Sequence, residues 1–541
     1  MSRGQDGSRR LLPRRGNVTN QNDFDFVTNT VRPSGIARNV AANWLTFLFV
    51  AGVSFFLSPF VVHHLGNTAY GVWTLLAALV GYLGLLDFGV RGAVTRYVAH
   101  HHPVGDNEGC SSIVSAGMVM FGMLGIVAIL LSVVFAFLSP IVFNIPESLV
   151  KDTRIVCVVG GLTIAITLVG AVFGGVITGL QRFDVSSGIE ILVTAIRTVA
   201  IVLALLEGYG LVPLAFINLA ASVLNGFATW TVAHKLYPEL RLRFRIPLLP
   251  HMRAILSFSM LLSAMQIFGA VIYYSDALII AMFLPISSVT FFAIAGNLCE
   301  HAKQLASAVS VVMTPRVSAL ASIGSTAMRE EILDAARLAT LVTTPIAATF
   351  WFRGESFINL WMGAEYGPAS GEVLRILAFV VLLWGARAVA TASIIGVNRH
   401  RALIPALAIE AACNLVLSVV LVGPLGLVGV ALGTLIPSVI VSLGYFPLCL
   451  SGTNGVPASL FYRNGWLLPM VACVPFVLAN ILLEYFLPAK NLAVFFMQVI
   501  STLPLVVASA MLLCLTPVEK KQVSSVIRRI AAIVRRGIGK T

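Results

Sequence analysis

The sequence predicts an all-α polytopic membrane protein, and three observations support this fold class. Apolar runs long enough to cross a bilayer recur from Val40 to Leu515 with short polar gaps between them. Only 11% of the 541 residues are charged, whereas 58% are hydrophobic. The runs are also too long for barrel strands, since a spanning helix takes about 20 apolar residues and a strand about half that number. A soluble catalytic domain is therefore excluded for the body of the chain.

We count about fourteen transmembrane helices, in two six-helix lobes plus two C-terminal helices. The predicted helix cores of the first lobe, residues 37–250, are Val40–Val62, Tyr70–Val90, Ile113–Ser139, Ile155–Leu180, Gly188–Leu206 and Leu211–Ala233. Those of the second lobe, residues 251–450, are Ala254–Leu284, Ser288–Thr314, Leu333–Phe352, Val373–Val397, Leu403–Val422 and Leu427–Leu450. The last two cores, within residues 451–515, are Gly465–Tyr485 and Leu492–Leu515.

The two ends of the chain differ from its apolar body. Residues 1–36 are polar and rich in Arg, Asn, Gly and Ser, which predicts a disordered cytoplasmic tail. Residues 516–541 carry Val and Ile at helical spacing, with Arg528, Arg529 and Arg535 on the opposite face. This pattern predicts a basic amphipathic helix that lies on the anionic inner leaflet.

Lys and Arg are unevenly distributed among the segments that join the predicted helices. With the N-terminus inside, 28 of the 36 basic residues fall on the inner side and five on the outer side, namely Lys151, Arg154, Arg353, Arg375 and Lys490. Because cytoplasmic segments are enriched in Lys and Arg, we expect a multi-pass protein of the cell (inner or plasma) membrane with both termini cytoplasmic. The net charge of +13 then reflects topology rather than nucleic-acid binding.

A weak internal repeat relates the two lobes. The segment that starts at Leu65 aligns with the one at Leu284, an offset of 219 residues, and Arg96-Tyr-Val-Ala aligns with Arg316-Val-Ser-Ala. This offset equals one six-helix unit, so both copies keep the same orientation about an axis along the membrane normal. Repeats of this kind are typical of transporters.

Signatures of catalysis and of cofactor binding are missing from the sequence. Six of the seven cysteines fall in predicted helices, and no Cys/His spacing matches a metal site. The row His100-His101-His102 cannot converge on one metal from a helix. The G-x-x-x-x-G-K-[ST] loop that binds nucleotide phosphates is absent as well. We therefore expect no metal, no cofactor and no enzymatic activity.

Two stretches resemble a known family. Leu65-Gly-Asn-Thr-Ala-Tyr-Gly-Val-Trp73, followed by Gly81-Tyr-Leu-Gly-Leu-Leu-Asp-Phe-Gly89 and Arg96-Tyr-Val-Ala99, is similar to the opening of polysaccharide-biosynthesis flippases. These belong to the multidrug/oligosaccharidyl-lipid/polysaccharide exporter superfamily. Asp276-Ala-Leu-Ile-Ile-Ala-Met-Phe-Leu284 with Pro315-Arg-Val-Ser318 resembles the second-lobe pattern of that family. The resemblance covers Ile36 to about Leu450, and Pro285 departs from it where many relatives carry Gly.

The resemblance implies a transporter that flips a polyprenyl-diphosphate-linked oligosaccharide from the cytoplasmic to the outer leaflet for surface polysaccharide biosynthesis. The implied partners are that lipid-linked oligosaccharide, membrane lipids and the polymerase or export machinery of the polysaccharide. Such an anionic cargo requires a water-filled cavity with basic groups between two lobes that rock. Because no nucleotide loop is present, the energy must come from an ion gradient, from the membrane potential or from consumption of the cargo.

Three predicted helices carry a buried cation, namely Arg197, Lys303 and Arg387. Ionisable residues inside a membrane are costly and are therefore functional candidates. We expect these cations to bind the diphosphate, Arg through a bidentate fork and Lys as a mobile point charge. The alternative is structural, because Glu190 lies seven residues before Arg197 and Glu300 three before Lys303. Arg387 has no acid nearby on its own helix, which favours a ligand.

Three acids are placed to respond to an ion gradient, namely Asp276, Glu300 and Glu410. An acid near the cavity that binds a proton or a sodium ion would couple transport to the gradient. The alternative for Asp276 is simple hydration near the outer interface beside Tyr273 and Tyr274.

Competing functions come from other classes. A multidrug exporter of the same superfamily would share the two lobes, but it suits cationic cargo and usually stops at twelve helices. A membrane-embedded glycosyltransferase would need a large outer loop, whereas the longest one expected here, Arg353–Glu372, is short. A non-transporting scaffold of polysaccharide assembly stays open at this point.

Overall fold

A computed structural model describes residues 33–242, 249–321, 324–515 and 520–521. The described residues form helices and no strand, which confirms the all-α fold class. The first helix begins at Pro33, so the last four residues assigned to the N-terminal tail are helical. The rest of that tail, and the basic C-terminal helix apart from residues 520–521, lie outside the described residues.

Seventeen α-helices are described, and short 3₁₀ or π turns join several of them. The first six are α1 (Pro33–Leu83), α2 (Val90–His101), α3 (Asn107–Val142), α4 (Glu147–Gly179), α5 (Phe183–Leu206) and α6 (Leu211–Leu236). The next seven are α7 (Leu249–Phe283), α8 (Ser287–Val311), α9 (Met313–Leu320), α10 (Ser325–Trp361), α11 (Gly367–Gly396), α12 (Leu403–Ile440) and α13 (Phe446–Asn454). The last four are α14 (Ala458–Phe461), α15 (Leu468–Ala472), α16 (Val474–Phe486) and α17 (Leu492–Leu513).

Ten helical stretches in the described part of the chain are long and apolar enough to cross a membrane. Two of them, of 63 and 55 residues, far exceed the roughly 20 residues that one crossing needs. Gly66 interrupts α1 with a φ of +77° and Gly426 interrupts α12 with a φ of +58°, a region that glycine enters without a steric penalty. The total of about fourteen crossings, and the division into lobes at these residue numbers, stay predictions.

The last two long helices are fixed to the second lobe by a buried arginine. We placed Arg353 and Arg375 in an outer loop, but this was wrong, since α10 continues to Trp361 and α11 begins at Gly367. Arg353 is 1% exposed and donates to Glu484 at 2.7 Å and to Gln498 at 2.6 Å. A cation buried between packed helices is stable only when such partners compensate its lost hydration.

The two lobes meet through polar contacts at one end of the molecule. The Thr290 hydroxyl donates to the Asn67 carbonyl at 2.7 Å, and the Tyr366 phenol donates to the Asn67 side chain at 2.6 Å. The Asn144 amide donates to the carbonyls of Met282 and Leu284 at 3.2 and 3.3 Å. All these residues lie in segments that the Lys/Arg asymmetry assigns to the outer side. We name Asn67, Asn144, Thr290 and Tyr366 the polar seal.

We predict that Gly71→Ala weakens the polar seal. A Cβ at Gly71 would overlap the backbone carbonyl of Ile286 across the lobe contact, and backbone atoms cannot rotate away. Overpacking of this kind costs roughly 1–3 kcal/mol, which should shift the protein towards separated lobes. The measurement is the cross-linking yield of the pair Asn67→Cys and Thr290→Cys in protein whose native cysteines have been replaced.

Gly52→Ala is the matched control, because a Cβ there meets only open space. The control should leave the yield unchanged, and an unchanged yield in Gly71→Ala would contradict the close lobe contact at this point.

Candidate functional site

The first lobe contains a partly open cavity of about 720 Å³. Helices α1, α2, α4, α5 and α6 form its walls, and Tyr274 of α7 closes one side. Gly81 makes room for that ring, since a Cβ at Gly81 would overlap it. A volume of this size lies within the range of roughly 300–1,000 Å³ that small-molecule sites occupy.

Two arginines and one glutamate are the charged residues among those that line this cavity. Arg197 and Glu190 lie on α5 and Arg91 on α2. The carboxylate of Glu190 attracts Arg197, but no hydrogen bond or ion pair within 4.0 Å joins the Arg197 guanidinium to a residue that the structure describes. The structural alternative for Arg197, a neutralising bridge to Glu190, is therefore incomplete.

Arg91 was not among the predicted site residues. Asp87 lies four residues before Arg91 and accepts a hydrogen bond at 3.3 Å from the backbone nitrogen of Arg91. That bond belongs to the start of α2 and leaves the guanidinium facing the cavity, near Gly174. A sequence cannot show whether a pair forms through the side chain or through the backbone.

An uncharged polar face also lines the cavity, and sequence reasoning missed it. Four residues on α6 form this face, namely Asn218, Ser222, Asn225 and Thr229. Their spacing of four, three and four residues places them on one side of a helix. We name them the α6 polar face. The recurrence of polar side chains at helical spacing is a signal that the sequence itself contains.

Lys303 lies in the second lobe and is not among the residues that line this cavity. Its ammonium pairs with Glu300 on the same helix, so the counter-ion that we weighed against a binding role is present. The ammonium also lies 5.1 Å from the ring centroid of Trp384. Both members of the pair keep about a fifth of their side-chain surface exposed, at 19% and 23%.

Arg387 is paired more completely, with an acid from another helix. Its two terminal nitrogens donate to the two carboxylate oxygens of Glu410 at 2.7 and 2.5 Å. Ser438 and Ser442 lie at 3.4 Å, and Arg387 and Glu410 are 5% and 3% exposed. The absence of an acid on its own helix therefore did not indicate an unpaired cation. Whether Arg387 or Lys303 contacts a substrate stays a prediction.

Asp276 is buried at 6% exposure, so the alternative of a hydrated interfacial acid was wrong. Its Oδ2 accepts a hydrogen bond from Thr434 at 2.9 Å, and Asn414 donates to the same hydroxyl at 3.0 Å. Ser275 donates to the Asn414 carbonyl oxygen at 3.1 Å. Asp276 Oδ1 has no hydrogen-bond partner among the described residues. One carboxylate oxygen of Asp276 is thus hydrogen-bonded, and the other is buried without a partner among the described residues.

Two members of the histidine row contact different residues. His101 contacts Asp106 at 2.8 Å, whereas His102 packs edge-on against Tyr237. The backbone nitrogen of Gly109 donates to Asp106 at 2.8 Å, and this bond, with that to His101, holds the pKa of the Asp106 carboxyl below its usual value. Among the described residues no group of three or more His, Cys, Asp and Glu side chains could hold a metal.

The helices and the cavity together define an all-α membrane transporter. The chain belongs to the family of polysaccharide biosynthesis proteins, which it matches over residues 36–321, just over half of its 541 residues. This finding confirms the family resemblance that the sequence motifs indicated.

Two curated relatives extend the similarity over most of the chain. The uncharacterized membrane protein EpsK of Bacillus subtilis is 23% identical over 452 residues, which cover 81% of this chain and 87% of that one. The probable low-salt glycan biosynthesis flippase Agl15 of Haloferax volcanii is 23% identical over 408 residues, 74% of this chain and 80% of that one.

Solved structures with the same fold include the lipid II flippase MurJ in an inward closed conformation. It has a TM-score of 0.69 at 15% identity, and the match covers 88% of this chain and 98% of that one. An inward-facing multidrug resistance MATE transporter of the MOP superfamily has a TM-score of 0.64 at 14% identity, covering 76% and 95%. At these identities the likeness shows the fold alone.

We predict that Arg387→Ala lowers the amount of folded protein, because it leaves the Glu410 charge buried without its partner. Breaking one side of a buried pair costs roughly 3–5 kcal/mol. The double substitution Arg387→Ala with Glu410→Ala should recover part of that loss, and membrane abundance with thermal melting of the purified protein measures both. The exposed pair offers the control Arg375→Ala, whose 3.9 Å contact to Glu355 should contribute little. Normal stability of Arg387→Ala alone would show that the pair does not hold the second lobe together.

Proposed function

We propose that this protein flips a polyprenyl-diphosphate-linked oligosaccharide from the cytoplasmic to the outer leaflet for surface polysaccharide biosynthesis, by alternating access. The observation that carries the proposal is the membrane-embedded cavity whose charged lining has two cations and one acid, Arg91 and Arg197 against Glu190. Family membership and the flippase named among the relatives support the same cargo class.

The cations of the cavity replace the counter-ions that the diphosphate has in water. Arg197 and Arg91 each offer a planar fork of donors that matches two phosphate oxygens. In this proposal Lys303 and Arg387 supply further positive charge for the cargo from the second lobe. Lys303 is the more accessible of the two, and it can exchange Glu300 for phosphate when the lobes separate.

Alternating access requires a closed end and an end that opens. The polar seal supplies the closed end in this conformation, since its hydrogen bonds cross between the lobes. They join neutral groups, so each contributes about 1 kcal/mol and can be exchanged for water. In the proposed topology this end faces outward, and the cavity loads from the cytoplasmic side.

Asp276 is the proposed coupling residue. A proton or a sodium ion bound at Asp276 Oδ1 would neutralise the carboxylate. Thr434 and Asn414 supply further oxygen atoms nearby. Asp276 lies two residues after Tyr274 on α7, and Tyr274 closes one side of the cavity. A change of charge at Asp276 therefore acts on the helix that also contacts the cargo space. Glu300 and Glu410 have a different part in this proposal, as counter-ions to Lys303 and Arg387.

The alternatives predict different phenotypes. A multidrug exporter has the same fold, as the MATE similarity shows, but it would need a cavity that attracts cations. A scaffold would need no cavity charge at all. Loss of the protein should reduce surface polysaccharide and leave the glycan-charged lipid on the inner leaflet. Sensitivity to cationic drugs with normal polysaccharide would favour the exporter.

We predict that Arg197→Ala weakens binding of polyprenyl diphosphate roughly 10- to 150-fold, the value of one charge-assisted hydrogen-bond contact of about 1.5–3 kcal/mol. Arg197→Lys should retain part of that affinity because the charge remains. Transport into proteoliposomes and membrane abundance are measured in parallel. Arg375→Ala, a half-exposed cation outside the cavity, is the control. Full transport by Arg197→Ala would remove the cation from the mechanism.

We predict that Asp276→Asn makes transport independent of the imposed ion gradient. Asparagine keeps the contact to Thr434 but neither titrates nor attracts a cation. Proteoliposomes with an imposed proton gradient, sodium gradient or membrane potential identify the driving ion in wild-type protein. Glu207→Gln, in an exposed turn, is the control. Gradient-driven transport that survives Asp276→Asn would place coupling elsewhere.

A further inference from the structure

The α6 polar face carries no charge that could compensate the charge of a diphosphate. Its four side chains are uncharged, and the twelve residues from Asn218 to Thr229 extend about 16 Å along the helix. Polar groups in a membrane are costly unless they find partners. Neither the Asn218 nor the Asn225 amide forms a hydrogen bond with a residue that the structure describes, although both line the cavity. Their partners must therefore come from the contents of the cavity.

The hydroxyl groups around these amides already form hydrogen bonds within the protein. Thr163 donates to the Val159 carbonyl and Thr167 to the Thr163 carbonyl, each at 2.8 Å. Thr229 donates to the Asn225 carbonyl, also at 2.8 Å. Thr167 also contacts the Ser222 hydroxyl at 3.3 Å, between α4 and α6. These hydroxyl hydrogens are thus largely used between protein groups, while their oxygens can still accept hydrogen bonds. Asparagine amides offer two donors and one acceptor each. The α6 polar face and the α4 hydroxyls together present donors and acceptors without charge.

Two aromatic rings line the cavity together with this face, Trp73 from α1 and Tyr274 from α7. The face of an aromatic ring carries partial negative charge. It therefore attracts the weakly positive C–H groups on the flat side of a pyranose ring. A sugar also carries several adjacent hydroxyls, each of which both donates and accepts. Uncharged donors, uncharged acceptors and ring faces together match a neutral sugar better than a phosphate or a drug cation.

We propose that Asn218, Ser222 and Asn225, with Trp73 and Tyr274, form a binding subsite for the neutral sugars of the carried lipid. The subsite is distinct from Arg91 and Arg197, which hold the diphosphate. It rests on the proposed function for the source of the sugars. It assigns the two parts of the cargo to different residues of one cavity, so the glycan is selected by groups that do not contact phosphate.

The test separates the sugar from the diphosphate. Purified protein in nanodiscs is titrated with bare polyprenyl diphosphate, with the same lipid bearing one of a panel of short neutral oligosaccharides, and with each oligosaccharide alone. Wild-type protein should bind the best glycosylated lipid roughly tenfold or more tighter than the bare lipid, since each sugar hydrogen bond adds a modest factor. The matching free oligosaccharide should bind weakly at the same site.

The variant Asn218→Leu with Asn225→Leu should lose that preference and the binding of free oligosaccharide, while its affinity for bare polyprenyl diphosphate stays unchanged. Thr231→Leu, an exposed position on the same helix that does not line the cavity, is the matched control. Thermal melting verifies folding. If the double variant does not fold, Asn225→Leu alone should lose part of the preference.

The other outcomes are decisive as well. An unchanged preference in the folded Asn variants would overturn the sugar subsite and leave the flippase proposal intact. The absence of any preference in wild-type protein across the panel would do the same. If wild-type protein binds no diphosphate lipid but binds a free oligosaccharide that the Asn variants lose, the proposed function fails and the cargo is a free sugar. That last result would show that the bound sugar is not part of a lipid-linked cargo.

Discussion

Every polar or charged group that is buried in hydrocarbon needs a partner that compensates its lost hydration. The two lobes differ in what provides that partner. In the second lobe, buried cations are matched by acids, as in Arg387 with Glu410 and Arg353 with Glu484. Such pairs hold helices together and leave little charge for a ligand. In the first lobe, Arg91 and Arg197 face a cavity, so water or cargo must compensate them. In the proposed function the first lobe therefore supplies the unpaired cations of the cavity, whereas the second lobe uses most of its buried charge to hold helices together.

Much of the fold followed from the sequence because it depends on local composition. An apolar run favours a helix whatever surrounds it, so each predicted core overlaps a helix that the structure describes. The bounds are less accurate, since the core Tyr70–Val90 runs past the end of α1 at Leu83. The pairing of charges did not follow, because it depends on how helices pack. Glu410 lies 23 residues from Arg387, and Glu484 lies 131 residues from Arg353. No local pattern indicates such a partner. The helix that carries Arg387 could not by itself indicate that Glu410 is its partner.

The site was predictable in part for a related reason. Charged residues stand out in a membrane segment, and Arg197 and Glu190 were identified in this way. Neutral residues such as Asn218 and Asn225 are less costly in a helix and draw less attention, although their periodicity was present in the sequence. Arg91 lies at the start of α2, close to the end of an apolar run. Only the packing of α2 against α4 shows that its side chain borders the cavity.

Helix α7 connects the two halves of the proposed mechanism. Tyr274 reaches into the space left by Gly81 of the first lobe, and two residues later Asp276 is held by Thr434 of the second. A cation bound at Asp276 would remove the cost of a buried, half-satisfied carboxylate, and so would favour packing of α7 against α12. Any resulting shift of α7 would move Tyr274 against the cavity wall. A ligand shifts such an equilibrium only by its differential affinity for the two arrangements. Coupling therefore requires that cargo and cation prefer different positions of this one helix.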